Sequence, residues 1–256
     1  MLEVYTWEPI ANSGKPLLML PEKGVPFTHH YIDFAQRQQH SPEYLAINPN
    51  GTVPAIVHDG QVLTESSQAL EYLDEVLDGP PLRPADPGQR SRMRWWIRYM
   101  DGNICPAMAM VGSNRAYRAR GGQASADEVT QAVGRIPLPE RQRTWTLLMS
   151  GQIPAEALQE SERRIRAAFC LYDDALAVAP YLAGPDFSLA DIVTLSTVGN
   201  IHIDWAADVN EAATPHLLDW LRRCHDRPGI RAGFAMGGER FAGRARDARQ
   251  HLGLKA

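Results

Sequence analysis

Two rhythms of apolar and polar residues divide this chain. Up to residue 78 the apolar positions come as short strand-like runs separated by turns and short helices; beyond residue 88 they recur at helical spacing. Residues 2–6 alternate as a strand does, and 9–15 read as a polar loop around Asn12-Ser13-Gly14. Residues 15–23 predict a short helix with Pro16 in its first turn, where a missing N–H is tolerated, and with Leu17, Leu18 and Leu20 turned inward. Gly24-Val25-Pro26 stops it, and 28–32 predicts a second strand. After a polar loop at 36–40, Ser41-Pro42-Glu43-Tyr44 predicts a short capped helix. Residues 55–57 and 61–63 are short apolar runs joined by Asp59-Gly60, a pair that favours a tight turn with positive φ and so predicts a hairpin. Thr64 or Ser66 is placed to cap the next helix, whose Leu70, Tyr72, Leu73 and Val76 carry a helical period. The order β-α-β-α-β-β-α predicts an α/β thioredoxin-like N-terminal domain over residues 1–78.

Residues 79–88 fall in a stretch rich in proline and glycine and predict a linker. Residues 89–256 then predict an all-α C-terminal domain. Within it, 89–120 carries Met93, Trp96, Ile97, Met100 and Ile104 at helical spacing, with a kink at Pro106. Short helices follow over 125–134 and from Pro137-Leu138-Pro139 to 148, then a long amphipathic one over 154–178, whose Arg163, Arg164 and Arg166 read as a solvated face. Phe187-Ser188-Leu189-Ala190-Asp191-Ile192 is a helix start, with Ser188 and Asp191 as capping-box partners and Phe187 placed to staple onto Ile192. A further helix over 217–225 ends near Arg227-Pro228, and the basic tail, 237–256, reads as a surface helix or as partly disordered.

Composition narrows the function. At 256 residues, with 44% hydrophobic and 22% charged residues, the chain has the make-up of a soluble globular protein with room for two ordinary domains. A formal charge of −4 offers no electrostatic case for nucleic acid or an anionic membrane. No apolar stretch approaches the roughly 20 residues of a membrane span, and the N-terminus lacks the regions of a secretory signal. No nucleic acid, no membrane and a cytoplasmic location are therefore expected. Cys105, Cys170 and Cys224 lie far apart in no metal or redox spacing and are expected as buried free thiols. The eight histidines form no metal motif, His29-His30 reads as a half-exposed pair, and no metal is expected.

The chemistry centres on residues 48–67. Asn48-Pro49-Asn50-Gly51 is dense turn chemistry, and Pro54, which cannot donate to a ladder, belongs at a strand start or edge. On local grounds Val53-Pro54 is an ordinary trans bond, since only about 5–6% of such bonds in folded proteins are cis. Val53-Pro54-Ala55 followed by Glu65-Ser66, however, resembles the glutathione-site signature of glutathione S-transferases. That resemblance implies the glutathione S-transferase fold and glutathione as co-substrate. It also implies a cis Val53-Pro54 bond, a Val53 backbone that pairs with the cysteinyl part, and a Glu65-Ser66 pair that holds the γ-glutamyl end. The physical chemistry agrees: Ser66 and its neighbouring amides at a helix N-terminus present donors to a carboxylate, and Glu65 can meet an ammonium. Gln39 and His40 lie in the loop that faces the glycyl end in this fold and are candidate donors to its carboxylate. An exposed polar loop is the plainer reading of either alone.

Glutathione chemistry needs a thiolate. A thiol of pKa near 8.5 is only a few per cent ionised at pH 7, and each unit of lowering takes about 1.36 kcal/mol of preference for the anion. A hydroxyl donor and the positive end of a helix together supply roughly one or two units. Ser13, between the first strand and the first helix, is the expected thiolate donor, with Asn12 as a second; capping of the helix is a compatible role for either. Tyr5 is the rival hydroxyl, but within the first strand it reads as core.

A narrower likeness covers nearly the whole chain. Ala11-Asn12-Ser13-Gly14-Lys15-Pro16-Leu17, Gln39-His40-Ser41, Asn48-Pro49-Asn50-Gly51-Thr52-Val53-Pro54-Ala55, His58-Asp59-Gly60, Leu82-Arg83-Pro84-Ala85-Asp86-Pro87 and Ile136-Pro137-Leu138-Pro139-Glu140-Arg141-Gln142 together resemble the bacterial glutathione-dependent β-etherases, and among them those acting on the β(S) enantiomer. The resemblance implies attack of the glutathione thiolate on Cβ of a lignin-derived α-keto β-aryl ether, with loss of a phenolate. It also implies a homodimer and an apolar, aromatic electrophile pocket between the domains. Met110, Asn114, Tyr117, Trp145 and Met149 are the candidates for that pocket, though each alone reads as core. Gly14 stands where the resemblance implies a larger apolar residue, and 103–120 departs from the pattern. A glutathione transferase for another electrophile, such as a halide or epoxide, is the alternative. A non-catalytic interaction module of the same fold is the rival from a different class.

Overall fold

Leu2, Val4 and Thr6 are buried along one side of the first strand, and the chain's main core packs against that side. The structure, a computed structural model, describes residues 1–119 and 124–255. Strand β1 (Leu2–Thr6) runs parallel to β2 (Thr28–Tyr31) and antiparallel to β3 (Ala55–His58), which pairs antiparallel with β4 (Gln61–Leu63). The sheet order is β2-β1-β3-β4. Asp59 and Gly60 take φ of 49° and 84°, the positive values that a tight hairpin turn requires. Helices α1 (Ala11–Lys23) and α3 (Ser66–Val76) cover one face. The other face carries the small cluster Ile32, Tyr44 and Ala55, closed by α2 (Pro42–Ile47), whose Ser41 cap accepts from the Tyr44 amide at 3.3 Å.

The remainder is helical. Helix α4 (Pro87–Tyr99) passes through a π turn (Met100–Ile104) into α5 (Cys105–Ala119). The wide turn precedes Pro106, which has no N–H for the Gly102 carbonyl. Arg120, with which this helix was expected to end, lies outside the described residues. Then come α6 (Ala126–Val133), α7 (Pro139–Met149), α8 (Ala155–Val178), α9 (Leu189–Val198), α10 (Ile201–Asp204), α11 (Pro215–His225), α12 (Pro228–Phe234) and α13 (Glu239–His251). No described helix is long and apolar enough to cross a membrane.

Helix α1 is the spine that joins the halves. It packs on α3, α9 and α12. A methyl group at Gly233 would stand 2.3 Å from the Leu17 carbonyl oxygen, so only glycine lets α12 come this close. At its far end Lys23 and Asp74, both buried, pair at 3.0 Å, and Arg83 from the linker adds a second pair to Asp74 at 3.0 Å. The expected capping box forms at the start of α9. Asp191, fully buried, accepts from the Ser188 amide and hydroxyl at 3.0 Å each, from the Leu182 amide at 3.0 Å and from the Trp220 indole at 2.9 Å. Burial raises its pKa while these donors oppose the rise.

Four expectations are corrected. Helix α1 starts at Ala11, not at 15, so Pro16 lies inside it. Helix α3 has Glu65 at its N-cap with no side-chain cap bond; Ser66 lies inside the helix, where it and Ser67 accept from Lys15. Cys170 is exposed on α8, whereas Cys224 is buried and Cys105 half-buried. The tail forms α13, which buries Phe241, Ala245, Ala248 and Arg249.

Candidate active site

The candidate residues gather at one end of the sheet, where the central strands β1 and β3 meet their loops. Tyr5 pairs with Ala55, which sets the loop after β1 beside Val53. Past Thr6 the chain turns through an extended Ile10 and an Ala11 at φ 49° into α1, and this early start places Asn12 and Ser13 in its first turn. Ser13 is buried at 4% exposure, and its Oγ accepts from the Trp7 amide at 2.6 Å. Asn12 is exposed, and its side-chain amide has no partner among the described residues. A methyl group at Gly14 would stand 2.6 Å from the Pro9 carbonyl carbon, which is why no larger residue fits there.

The Val53-Pro54 peptide is cis. Thr52 ahead of it is held through its carbonyl by the Tyr44 hydroxyl at 2.5 Å and the Asn48 amide at 2.7 Å. The Val53 N–H and C=O have no partner among the described residues. Glu65 is exposed and unpaired among them, and Ser66 is half-buried.

Lys15 was missed by sequence reasoning. It is fully buried, and its ammonium donates to Ser66 Oγ at 3.1 Å, to Ser67 Oγ at 2.9 Å and to Asp101 Oδ1 at 2.6 Å. Three protons meet three acceptors. Each serine oxygen is taken as an acceptor, so each hydroxyl proton is left to be donated outward, towards an anion at the start of α3. The available signal was position: Lys15 shares a helical face with Leu18 and Met19, which are buried.

Gln39 and His40 lie in a 3₁₀ turn (Gln38–His40) against Gly51. Gln39 Oε1 and His40 Nδ1 are buried without a partner among the described residues. Burial, and then the charges of Arg141, Arg37 and Arg135, push the His40 pKa below its ordinary value, so the ring is neutral near pH 7. Tyr5, the rival hydroxyl, is half-buried rather than core; its OH donates to Glu3 at 3.0 Å and its ring stacks on His30.

The five pocket candidates lie on α5 and α7. Asn114 and Tyr117 on α5 and Trp145 and Met149 on α7 are half-buried on helices in contact. Met110 on α5 is half-buried as well, and its sulfur accepts from the Ser161 hydroxyl of α8 at 3.5 Å. Sequence reasoning also missed an aromatic stack beside Ser13. Trp7 lies on Phe34 with ring centroids 4.7 Å apart and planes 1° from parallel. Phe34 packs on the small core cluster, whereas half-exposed Trp7 lies outside it. The strand alternation Glu3, Tyr5, Trp7 was the signal that could have placed it.

Comparison with known proteins agrees with this architecture. Residues 11–76 match the model of the glutathione S-transferase N-terminal domain and 138–228 that of the C-terminal domain. The chain is 35% identical to Protein LigF of Sphingobium sp. over 239 residues, 91% of this chain and 93% of that one. The crystal structure of β-etherase LigF from Sphingobium sp. superposes with a TM-score of 0.85, at 35% identity, covering 91% of this chain and 98% of that chain. A glutathione transferase homologue from Sulfitobacter with bound glutathione shares the fold, with a TM-score of 0.65 at 24% identity over 91% and 96% of the two chains. On sequence and fold alike, the chain belongs to the glutathione S-transferase family.

Proposed function

We propose that this protein is a glutathione-dependent β-etherase acting on small aromatic ethers, as a cytoplasmic homodimer in the breakdown of lignin-derived aromatics. The observation that carries the reading is the likeness to LigF, which runs through both the thioredoxin-like and the helical half.

Glutathione would lie across this end of the sheet, with its cysteinyl backbone on the unpartnered N–H and C=O of Val53. Ser66 and Ser67, their protons turned outward by Lys15, would meet the γ-glutamyl carboxylate, and Glu65 the ammonium. Gln39 and His40 would take the glycyl end. The thiolate would sit at the first turn of α1, where the helix field and the Asn12 amide favour the anion. Ser13 accepts from Trp7 and keeps one proton to donate from behind. The thiolate attacks Cβ of an α-keto β-aryl ether. A C–S bond forms, the C–O bond breaks, and the aryloxide leaves with the electron pair to take a proton from water. The adjacent carbonyl activates Cβ, and the protein contributes thiolate stabilisation and alignment.

The test is turnover of an α-keto β-aryl ether, as separated enantiomers, with and without glutathione. Phenol release that requires glutathione and yields a thioether supports the reading, with the β(S) enantiomer consumed. Absence of turnover in a protein that binds glutathione favours the second reading, a transferase for another small electrophile. Failure to bind glutathione would be the mark of a non-catalytic module.

A further inference from the structure

We propose that Glu8 is a positioning residue for the glutathione thiolate: it fastens the loop that enters α1 to the start of α13, and so holds the Asn12-Ser13 turn in place from the far end of the chain. The inference rests on the glutathione reading above and adds to it a contact outside the site.

Glu8 joins three segments. Its Oε1 accepts from the Tyr31 hydroxyl at the end of β2 at 2.8 Å, and its Oε2 accepts from the Gly238 amide at 2.9 Å. Gly238 is the N-cap of α13. In a capping box the N-cap amide is met by an acidic side chain three residues on; here that position is Phe241, and a carboxylate 230 residues away meets the amide instead. The positive end of α13 favours it there. The packing around the contact is close. A methyl group at Gly237 would stand 2.7 Å from Glu8 Oε2, 2.8 Å from Pro9 Cδ and 2.9 Å from Phe241 Cδ1. Phe241 is buried in the main core, so the tail offers the loop a fixed surface. The carbonyl carbon of the same proline lies against Gly14. Pro9 is therefore gripped between α13 and α1.

The grip reaches the thiolate position through short links. The Trp7 amide, on one side of Glu8, donates to Ser13 Oγ at 2.6 Å. The Glu8 carbonyl accepts from the Ile10 amide at 2.7 Å, and the Ile10 carbonyl accepts from the Gly14 amide at 3.0 Å. Ala11, immediately before Asn12, is held at φ 49°. A residue with a Cβ keeps that left-handed conformation only where its surroundings impose it. Relaxation of Ala11 to negative φ would swing the Asn12 amide and the first-turn N–H groups away from a thiolate. The Glu8 carboxylate opposes it by tying this loop to β2 and α13 at once.

The test reads the bound thiol directly, by ultraviolet titration of the glutathione thiolate on the full chain. Calorimetric affinity for S-methylglutathione serves as the control for peptide binding, and melting temperature as the control for folding. Glu8→Ala is expected to raise the thiol pKa by about one unit and to change S-methylglutathione affinity by less than about twofold. Tyr31→Phe, at an exposed side chain, removes one of the two donors and is expected to raise the thiol pKa by about half a unit, which keeps the proposal testable should Glu8→Ala unfold. Glu8→Gln is expected to stay near wild type, because its amide oxygen can accept from Gly238 and its NH₂ can donate to the Tyr31 oxygen. Three results overturn the assignment: an unshifted thiol in Glu8→Ala or, should that variant unfold, in Tyr31→Phe; a pKa lowered alike in Glu8→Ala and Glu8→Gln, as loss of a negative charge alone would give; or a weakening shared by S-methylglutathione. A wild type that binds glutathione with an unlowered thiol pKa also overturns it while leaving glutathione binding standing; a wild type that does not bind glutathione brings both down.

Discussion

The Lys15 ammonium, shut from solvent at the start of α1, lies 2.6 Å from the Asp101 carboxylate in the π turn between α4 and α5. The two ends of this pair are not equivalent: the Lys15 side chain is 1% exposed and that of Asp101 36%. Removing one partner of a buried pair costs about 3–5 kcal/mol when the other is left buried and charged. Asp101→Ala strands the lysine and is expected to lower stability by about 3 kcal/mol. Lys15→Met leaves an aspartate that water can reach and is expected to cost about 1–2 kcal/mol, yet to weaken glutathione binding about tenfold because Ser66 and Ser67 lose their orienting donor. Urea unfolding and glutathione titration of both variants check the crossover. A Lys15→Met protein that binds glutathione as tightly as wild type would remove Lys15 from the site.

Asn12 and Ser13 stand side by side and are expected to fail differently. Ser13→Ala leaves the Trp7 amide buried without its acceptor, an expected loss of about 1–3 kcal/mol of stability. Asn12→Ala removes an exposed, unpartnered amide and is expected to leave the melting temperature unchanged. It should raise the apparent thiol pKa in the pH-rate profile by about one unit, the equivalent of about 1.4 kcal/mol of lost anion preference. An unshifted profile in Asn12→Ala with a shifted one in Ser13→Ala would return the leading role to the serine.

The aromatic stack at the mouth of α1 makes a third prediction. One face of Trp7 rests on Phe34, and its half-exposed side adjoins the turn that holds Ser13. Aromatic pairs contribute about 0.5–1.5 kcal/mol beyond their buried area. Trp7→Leu is therefore expected to raise KM for an aryl electrophile by about three- to tenfold and to leave glutathione affinity unchanged, with Trp7→Phe close to wild type. Steady-state kinetics with an aryl ketone and with iodoacetamide separates the roles, since a loss shared by both electrophiles marks a structural effect only.

What was legible in the sequence follows the range of the forces involved. The Asp59-Gly60 hairpin and the Ser188-Asp191 capping box are set by residues within a few positions, and both form as expected. The position of Lys15 is set by partners 51, 52 and 86 residues away, so a lone lysine after a serine and a glycine read as an ordinary helix start. Pro16 misled for a related reason. First-turn proline is the local preference, but the entry through Ala11 at positive φ begins α1 earlier, under a loop whose path depends on Glu8 accepting from the Gly238 amide at 2.9 Å. That same contact explains the tail. Its basic composition suggests solvent, whereas its docking rests on distant groups, Glu8 at its start and His202 and His225 along α13. Residues 12–13, 39–40, 53–54 and 65–66 were found as motifs. The separation of Asn12 from Ser13 by exposure needed the packing.

The last prediction concerns His225, which is 1% exposed and donates from Nε2 to the Gly199 carbonyl at 2.7 Å, with Phe234 stacked on its ring. Burial pushes its pKa down from 6.5 to about 4; the Gly199 bond opposes this, while the charges of His202 and Arg249 add to it. The neutral ring is the folded form, so this contribution is fully present above pH 6.5. As pH falls the unfolded chain takes up a proton near 6.5 while the folded one resists until about 4, and stability drains away between those values. The loss for a shift from 6.5 to about 4 is on the order of 3 kcal/mol. His202, lowered in the same direction chiefly by burial and bonded to the Ala248 carbonyl of α13, steepens the slope. Because His225 also receives an Arg249 guanidinium from α13 on its carbonyl, acid should loosen that helix together with the α11 end. His225→Gln keeps an amide donor for Gly199 and removes the titration. Urea unfolding at steps between pH 7.5 and 4.5 should therefore show a flatter decline for this variant than for wild type. Parallel curves would mean that the acid sensitivity lies in the carboxylates, and that the ring acts only by its shape.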